Sequence, residues 1–466
     1  AVRWLVKGRI DRKTPRFHCS GWRRLMFLAH GVGTRSDLPL PVSLAAIGAG
    51  LVLMISFGVL AVLWRGPRLS PDAGIPLPQV LIKIADAGVT RDLLQGLTLA
   101  VGLLICVVGF LGPADLMRNL APWALFVTFW VGLVPASLLF GPVWRVLNPL
   151  RLVHTALAEI LRVDPEHGLR RLPAAVGYWP AAASLAGYGW FELIYPRHAQ
   201  PIPTATFISL YAVIHTTAAV IFGRCWFERG DGFEVYSMLL GTLAPLGRRH
   251  RDRALVLRNP LHGMEAMPCG PGLVGVVVAL VGTTAYDGLS RTSWWWRTLP
   301  PDPLVSNAGL VCSMLLIAVV FVLGTRTLTA PRVVASGPGT AGGGPRPGAF
   351  AHTLVPIAAG YAIAHYFSLL MFDGQQTLIL ASDPFASGLN LLGTAKGSID
   401  YSVVSTSTIA IVQVTAIVLG HLVAAVGAHD RAVRLLPAKT AVRTQYPLVA
   451  AMVMLTMGAV GLIFAP

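Results

Sequence analysis

Ten apolar segments follow one another along this chain, and each is long enough to form a helix that crosses a lipid bilayer. About 20 helical residues cross the hydrocarbon core, and these segments have roughly 18–25 residues. They therefore predict an all-α fold, a polytopic transmembrane helix bundle of about ten spans. The segments are 42–64, 94–112, 121–141, 174–192, 203–223, 271–290, 304–324, 350–372, 403–427 and 447–464.

The composition agrees with a bundle that has the lipid bilayer as its partner. The chain is 54% hydrophobic and 12% charged, with a mean hydropathy of +0.64, whereas soluble domains carry about 25% charged residues. A net charge of +16 could indicate binding to nucleic acid. The basic residues are instead spread over loops, without a patch of interleaved aromatic residues, so no nucleic-acid partner is expected.

The distribution of Lys and Arg predicts an orientation, because positively charged loops stay in the cytoplasm. Five loops hold 23 of these residues, and the four loops that alternate with them hold five. This alternation predicts a single transmembrane domain, residues 42–466, with both termini extracytoplasmic. The predicted cytoplasmic loops are 65–93, 142–173, 224–270, 325–349 and 428–446.

Two stretches of these basic loops have apolar residues at helical spacing. They are VWRVLNPLRLVHTALAEIL (143–161) and FEVYSMLLGTLAPLG (233–247). Amphipathic helices of this kind lie in the membrane interface. We expect both stretches on the inner membrane surface, as anchors to anionic lipid.

The N-terminal segment, residues 1–41, conflicts with this orientation because it carries nine Lys and Arg residues. Two explanations are open. The orientation is wrong, or the segment is extracytoplasmic and begins with part of an export signal. Trp22-Arg23-Arg24 followed by LMFLA has the pattern of the end of such a signal.

The eighth segment carries the polar residues that we connect with function. An ionisable side chain inside hydrocarbon is disfavoured by about 2.5–3.5 kcal/mol, so such groups usually face a protein interior or a water-filled cavity. With the predicted orientation, His365 lies below the outer end of the helix, and Asp373 caps that end. Glu192 and Asp287, near the outer ends of the fourth and sixth segments, lie at a similar level.

These residues predict an outward-facing polar cavity with a catalytic group of His365, Asp287 and Glu192. His215 lies near the middle of the fifth segment and could form the floor of the cavity, while His30 adds an imidazole from the N-terminal segment. Histidine and carboxylate ligands suit zinc, manganese or copper. The candidate metal ligands are His365, Asp287, Asp373, His215 and His30.

Two other interpretations of the histidines remain beside the metal site. Each histidine can simply be buried and hydrogen-bonded between helices, and there is no HExxH spacing that would identify a metal site. A bis-histidine haem needs two histidines at a similar depth. Because His215, His365 and His421 are staggered in depth, haem is not expected.

Five stretches together resemble a family of multi-span bacterial membrane proteins, common in actinobacteria and labelled fenitrothion hydrolase. The resemblance implies the bacterial cytoplasmic membrane and hydrolysis of an apolar organophosphate triester, which would require a metal-activated water. The stretches are AHGVGTRSDLPLP (29–41), GPVWRVLNPLR (141–151), FEVYSMLLGTLAPLGRR (233–249), HTLVPIAAGYAIAHYFSLLMFDGQQ (352–376) and GHLVAAVGAHDRA (420–432).

Two further functions fit the same residues. Membrane-embedded His, Asp and Glu also build the pathways of proton- or ion-coupled transporters and channels. Alternatively, the chain is an accessory membrane subunit of a respiratory or copper-handling complex and binds another membrane subunit. A transport pathway requires polar groups that continue from one side of the bundle to the other, and this requirement distinguishes transport from the other two functions.

Overall fold

Helices make up almost all of the regular structure in the computed structural model, which describes residues 41–267, 269–328 and 347–464. The predicted export signal and His30 lie outside these ranges. The first half of the chain forms α1 (Val42–Leu63), α2 (Gln79–Asp86), α3 (Gly88–Leu111), α4 (Leu120–Phe140), α5 (Val143–Leu147), α6 (Pro149–Leu161), α7 (Trp179–Leu193), α8 (Pro201–Phe222), α9 (Cys225–Arg229) and α10 (Gly232–Gly241). Ala124–Phe129 within α4 is a π-helix, and Leu116–Arg118 is a 3-10 helix.

The second half continues with α11 (Pro260–Met264), α12 (Leu273–Ser290), α13 (Ser293–Thr298), α14 (Pro303–Thr325), α15 (Leu354–Ser382), α16 (Thr406–Leu435), α17 (Ala438–Ala441) and α18 (Tyr446–Phe464). Short 3-10 helices, Pro347–Thr353 and Arg443–Gln445, precede α15 and α18. Within the described ranges, nine helical segments are long and apolar enough to cross a membrane. They are α1, α3, α4, α8, α12, α14, α15, α16 and α18. The segments of α15 and α18 include the 3-10 helices that precede them. The predicted helical membrane bundle is confirmed at this level.

The loops contain a small sheet that the sequence analysis did not predict. Its strands are β1 (Ile75–Pro76), β2 (Leu246–Arg248) and β3 (Leu255–Leu257), in the order β1-β3-β2. Both pairs are antiparallel, with Ile75 opposite Leu257 and Gly247 opposite Val256. Strands of two or three residues are too short to give a period-2 pattern.

Burial separates the central helices from the peripheral ones. The buried fraction of the most apolar 18 residues in each segment shows this difference. This fraction is 78% for α15 with its preceding 3-10 helix, and 72% for α12. The values for α3 and α8 are 17% and 22%. Side chains of α3 and α8 are therefore available to lipid, whereas α12 and α15 lie in the interior, where both carry buried ionisable groups, among them Asp287 and His365.

The fourth predicted span, 174–192, forms the shorter helix α7. Its 15 residues extend about 22 Å, less than the roughly 30 Å of a hydrocarbon core. α7 lies close to α12, and a Cβ atom at Gly189 would lie 2.5 Å from Cγ2 of Thr283. One face of α7 is thus covered by α12, whereas Trp179, Ala183, Gly187 and Trp190 form an exposed face of the helix.

α10 corrects the expectation of an amphipathic helix on the membrane surface. All of its residues except Met238 are buried, and it packs against α4, α5, α7 and α15. Asp231 caps its N-terminus and accepts hydrogen bonds from the backbone N–H groups of Phe233 and Glu234. The apolar spacing of this stretch therefore indicated a core helix. α6 keeps a partly exposed apolar face, including Ile160 and Leu161.

The eighth segment also differs from its predicted bounds, because α15 continues ten residues beyond 372, to Ser382. The polar residues after Phe372 had indicated a helix end. Gln375 instead supports the extension by exchanging hydrogen bonds with the backbone N–H and C=O of Asp400, at 2.9 and 3.1 Å. The prediction that Asp373 caps the helix is therefore wrong, and Asp383 occupies the C-terminal cap position.

The junction between α1 and α16 depends on Asp430, which is fully buried. Its carboxylate accepts hydrogen bonds from Nε1 of Trp64 at 2.9 Å and from the backbone N–H of Arg68 at 2.6 Å. Arg434 adds an ion pair at 3.1 Å. One side chain thus fixes the loop after α1 against the end of α16, which gives a physical role to the HDR sequence at 429–431.

The variant Asp430→Asn should reduce the free energy of unfolding by about 1–3 kcal/mol, the range for a hydrogen-bonded buried charged group. The carboxamide retains the shape but loses one acceptor oxygen and the charge that attracts Arg434. Thermal unfolding in detergent measures the change. The control is Asp252→Asn, at an exposed Asp–Arg pair; equal melting temperatures for the two variants would contradict the prediction.

Candidate functional site

Asp287 and His365, two of the three predicted catalytic residues, are in direct contact. His365 Nε2 lies 2.6 Å from Oδ2 of Asp287, and both side chains are buried. Arg291, one turn after Asp287 on α12, donates to both carboxylate oxygens at 2.8 and 2.9 Å. This bidentate pair holds a buried negative charge against a fixed positive one.

Two tyrosines of α15 complete the surroundings of this pair. The hydroxyl of Tyr366 lies 3.4 Å from Oδ2 of Asp287. The ring of Tyr361 is parallel to that of His365 at 5.7 Å, which confirms that the two residues share a helix face. Gly288 allows the Tyr361 side chain to approach the backbone of α12, since a Cβ atom at position 288 would lie 2.5 Å from the Tyr361 hydroxyl.

Glu192, the third predicted catalytic residue, lines a small cavity beside this pair. Trp130, Tyr188, Thr283 and Tyr366 also contribute to its wall, and the buried hydroxyl of Tyr188 has no hydrogen-bond partner in the described chain. The cavity has room for about one water molecule, which needs polar partners of this kind. We call Glu192, Asp287, Arg291, His365 and Tyr366 the cavity cluster.

A second polar group, partly buried, lies two turns nearer the N-terminus of α7. Oγ of Ser184 is 3.3 Å from Nε2 of His215 and 3.5 Å from the hydroxyl of Tyr211. Tyr211 donates a hydrogen bond of 2.6 Å to Asp231. We call Ser184, Tyr211, His215 and Asp231 the relay cluster.

Trp226 determines the protonation of His215. An indole N–H can only donate, and Trp226 Nε1 donates to Nδ1 of His215 at 3.1 Å. Nδ1 therefore carries no proton, and the imidazole is neutral with its proton on Nε2, where it donates to Ser184. This arrangement sets a direction for the hydrogen bonds, from His215 through Ser184 and Tyr211 to Asp231.

The relay cluster continues to the α5–α6 region. The side-chain amide of Asn148 donates to Asp231 at 2.9 Å and to Glu234 at 3.0 Å, and Glu234 forms an ion pair with Arg151. Glu234 is buried, and 14% of the Arg151 side chain is exposed. Burial, reinforced by nearby arginines, lowers the pKa of the neighbouring His154, so Arg151 provides the positive charge at this end.

An aromatic ring separates the two clusters. Phe233 contacts the cavity-lining Tyr188 with ring centroids 5.3 Å apart, and it contacts Tyr211 of the relay cluster at 4.8 Å. Phe129 packs against its edge at 4.9 Å. Phe207 also contacts both tyrosines, at 5.8 and 6.1 Å, so Phe233 is the closer of two phenyl rings that interrupt the polar path.

Of the predicted metal ligands that the structure describes, only His365 and Asp287 are in contact. His215 lies in the relay cluster with both ring nitrogens engaged, and His30 lies outside the described residues. Asp373 is buried, with one carboxylate oxygen that has no partner in the described ranges, and it is eight residues, about 12 Å of helix, from His365. The described residues contain no group of three or more His, Cys, Asp or Glu side chains that could hold a metal ion.

The donor chemistry around Asp287 also does not fit a divalent ion. Arg291 occupies both carboxylate oxygens, and His365 directs Nε2 at the carboxylate rather than at a shared central point. A cation placed there would replace these hydrogen bonds. The expected zinc, manganese or copper site is therefore not formed by these side chains in this arrangement.

Sequence reasoning missed several residues of both clusters. Arg291 was detectable, because Asp and Arg four residues apart on a helix can pair. Asn148 and Glu234 lie in two of the stretches that carry the family resemblance, but their segments were interpreted as surface helices. Tyr211 lies one turn before His215 on α8, and the sequence gives no sign of its partner Asp231, since that contact joins separate helices.

Replacement of Arg291 should destabilise the protein, because it leaves Asp287 buried without its cation. We expect Arg291→Gln to lower the free energy of unfolding by about 3 kcal/mol, at the lower end for a broken buried pair, since 31% of the arginine side chain is exposed. Thermal unfolding in detergent measures the loss. Arg297→Gln, at an exposed site, is the matched control.

The double variant Arg291→Gln with Asp287→Asn tests whether the unpaired charge of Asp287 causes the loss of stability. Removal of the second charge should recover part of the lost stability, because no uncompensated charge remains. Strictly additive losses in the double variant would show that the pair is not coupled.

Comparisons with known proteins found no match to this chain among protein-family models, curated proteins or solved structures. The family resemblance therefore remains a prediction from the five sequence stretches. The case for a function is built on the geometry of the two clusters.

Proposed function

We propose that this protein transfers protons across the membrane, as a proton-coupled transporter or a proton channel. The observation that carries the proposal is the polar face of α7. Ser184, Tyr188 and Glu192 follow one another at four-residue intervals, so they lie on one side of the helix. They link the relay cluster at one end with the cavity cluster at the other, over about 12 Å.

The charges of the cavity cluster favour the exchange of one proton. Arg291 provides one positive charge for the carboxylates of Asp287 and Glu192. Electroneutrality in a buried site then requires one further proton, on Glu192 or on His365. Tyr366 lines the cavity together with Glu192, and its hydroxyl lies 3.4 Å from Asp287, the partner of His365. Its position between the two residues would let the proton move without separating charges in a medium of low dielectric.

The size of the cavity distinguishes this function from hydrolysis of a triester. About one water molecule fits, which is sufficient for proton transfer, whereas an organophosphate triester would require the helices to separate. Buried ionisable groups inside a membrane bundle are also typical of ion pathways.

Hydrolysis of an apolar phosphoester remains a second candidate function, and the contact of 2.6 Å between His365 and Asp287 favours it. A carboxylate that orients an imidazole is a common arrangement for a general base, which would remove a proton from the attacking water. Such a reaction needs an open form of the cavity that admits the substrate.

We also propose that the basic loops face the cytoplasm of a bacterial cell, in line with the positive-inside rule. Because protein surrounds much of α7, it can cross the bundle without meeting the full thickness of lipid. Counting α7 then gives ten crossings and places both termini outside.

Proton flux into proteoliposomes tests the proposal. With an internal pH dye and an imposed membrane potential, the wild-type protein should acidify the vesicles faster than empty liposomes do. Glu192→Gln should lower this rate at least about tenfold, as expected for removal of a proton-transfer group. Asp383→Asn, at an exposed cap, should transport like the wild type.

Wild-type flux equal to that of empty vesicles would overturn the transport proposal. The same preparation is then assayed for hydrolysis of a phosphotriester. Activity that disappears in His365→Ala, with the protein still folded, would support the second candidate function.

The position of Phe233 generates a separate prediction about leakage. Without the ring, water could connect Tyr188 with Tyr211, so Phe233→Ala should raise passive proton flux above the wild-type rate. Phe233→Leu keeps an apolar group of similar volume and should not. The same vesicle assay measures both rates, and Phe140→Ala, at an exposed phenylalanine outside both clusters, is the control.

Truncation of a buried phenylalanine lowers stability by about 3–5 kcal/mol, so melting curves accompany the flux measurements. Equal flux in folded Phe233→Ala and in the wild type would contradict the role of this ring as a seal.

A further inference from the structure

Arg258 is a buried cation outside both clusters. It follows β3, its backbone N–H donates to the carbonyl of Pro245 at 2.7 Å, and only 9% of the residue is exposed. Gly247 and Gly263 lie against its guanidinium. A Cβ atom at either glycine would lie 2.5 Å from a guanidinium nitrogen, so the absence of side chains at these positions makes room for the group.

The guanidinium of Arg258 has no anionic partner within the described part of the chain. No side-chain hydrogen bond or ion pair involves it there, and its Nε is fully buried without an acceptor. Burial lowers the pKa of Arg258, with no acidic group to oppose the effect. A buried ion without a partner is disfavoured by several kcal/mol.

The nearby acidic residues are engaged elsewhere. Asp86 pairs with Arg248 and Asp252 with Arg249, both at the strands of the sheet. Glu265, beyond α11, lies 3.5 Å from both Arg431 and Arg434. Arg151 and Arg291, by contrast, each have a carboxylate partner.

We infer that Arg258 is the central residue of a binding site for a phosphate-type oxyanion. The planar guanidinium presents parallel N–H groups that match two oxygens of a phosphate, and such an anion would neutralise the buried charge. Two sources supply this chemistry, inorganic phosphate and the phosphodiester of an anionic lipid headgroup. The sheet also exposes Ile75 and Leu257, which face one another across β1 and β3, so apolar surface for an acyl chain is close by.

Thermal unfolding of purified protein tests the site independently of transport. The wild type, the Arg258→Gln and Arg258→Lys variants, and the control Arg251→Gln, at an exposed arginine of the same loop, are prepared in phosphate-free zwitterionic detergent. Each is titrated with sodium phosphate, with sodium chloride at matched ionic strength, and with phosphatidylglycerol against phosphatidylcholine.

We expect phosphate or phosphatidylglycerol to raise the melting temperature of the wild type and of Arg251→Gln, and to leave that of Arg258→Gln unchanged. A response to inorganic phosphate identifies a free oxyanion as sufficient, and a response to phosphatidylglycerol alone identifies the lipid headgroup. Arg258→Lys keeps the positive charge but lacks the two parallel N–H groups of the guanidinium, so its melting temperature should rise less than that of the wild type.

Two results would overturn the inference. One is an equal shift in Arg258→Gln and the wild type, and the other is a wild type that responds to phosphate and phosphatidylglycerol no more than to chloride and phosphatidylcholine. The second result needs no variant, so the test does not depend on the folding of Arg258→Gln.

Discussion

The pairing of buried charges is the constraint on which this bundle depends. Hydrocarbon provides no water to a carboxylate, so each ionised group of the interior needs a partner supplied by the protein. The partners of Asp287 are Arg291 and His365, and those of Glu234 are Arg151 and Asn148. The carboxylate of Asp430 pairs with Arg434 and accepts hydrogen bonds from two backbone N–H groups. Each of these groups joins elements that are far apart in sequence, and together they determine which helices are central.

The central position of α7 follows from this constraint. A helix that presents Ser184, Tyr188 and Glu192 on one face cannot turn that face to lipid. It packs instead against α12, and the close approach at Gly189 brings Glu192 to the cavity that Tyr366 also lines. The helix that carries this polar face is therefore the one that connects the two polar clusters.

Much of the helical architecture could be predicted from the length of the apolar segments, because that length is set by the bilayer and needs no tertiary information. α7 and α10 show where this reasoning ends. Both are shorter than a span and bury polar side chains against neighbours that only the folded chain provides, so the sequence of α10 could not distinguish a core helix from an interfacial one. The 3-10 start and the long extension of α15 likewise depend on contacts such as that of Gln375 with Asp400.

The candidate site was predictable in part for the same reason. Depth alone placed His365, Asp287 and Glu192 at one level, and they do share one cluster. Asp373, eight residues and about 12 Å of helix beyond His365, is too far along the axis to join them, and depth does not give the rotation of a helix about its axis. It also gave no indication that Trp226 fixes the tautomer of His215, or that Tyr211 reaches Asp231, since those contacts depend on the packing of α8 against the α9–α10 turn.

The π-helical segment of α4 has a consequence for the wall of the cavity. A π-turn holds an additional residue, and such turns are frequent at functional sites. Trp130, whose backbone N–H bonds to the carbonyl of Leu125 at 3.0 Å, immediately follows the segment Ala124–Phe129. Migration of the extra residue along α4 by one position would turn an indole by about 100° while both ends of the helix stay in place. The wall formed by Trp130 can thus be exchanged by a local change of helical register, without rearrangement of the charged pairs behind it.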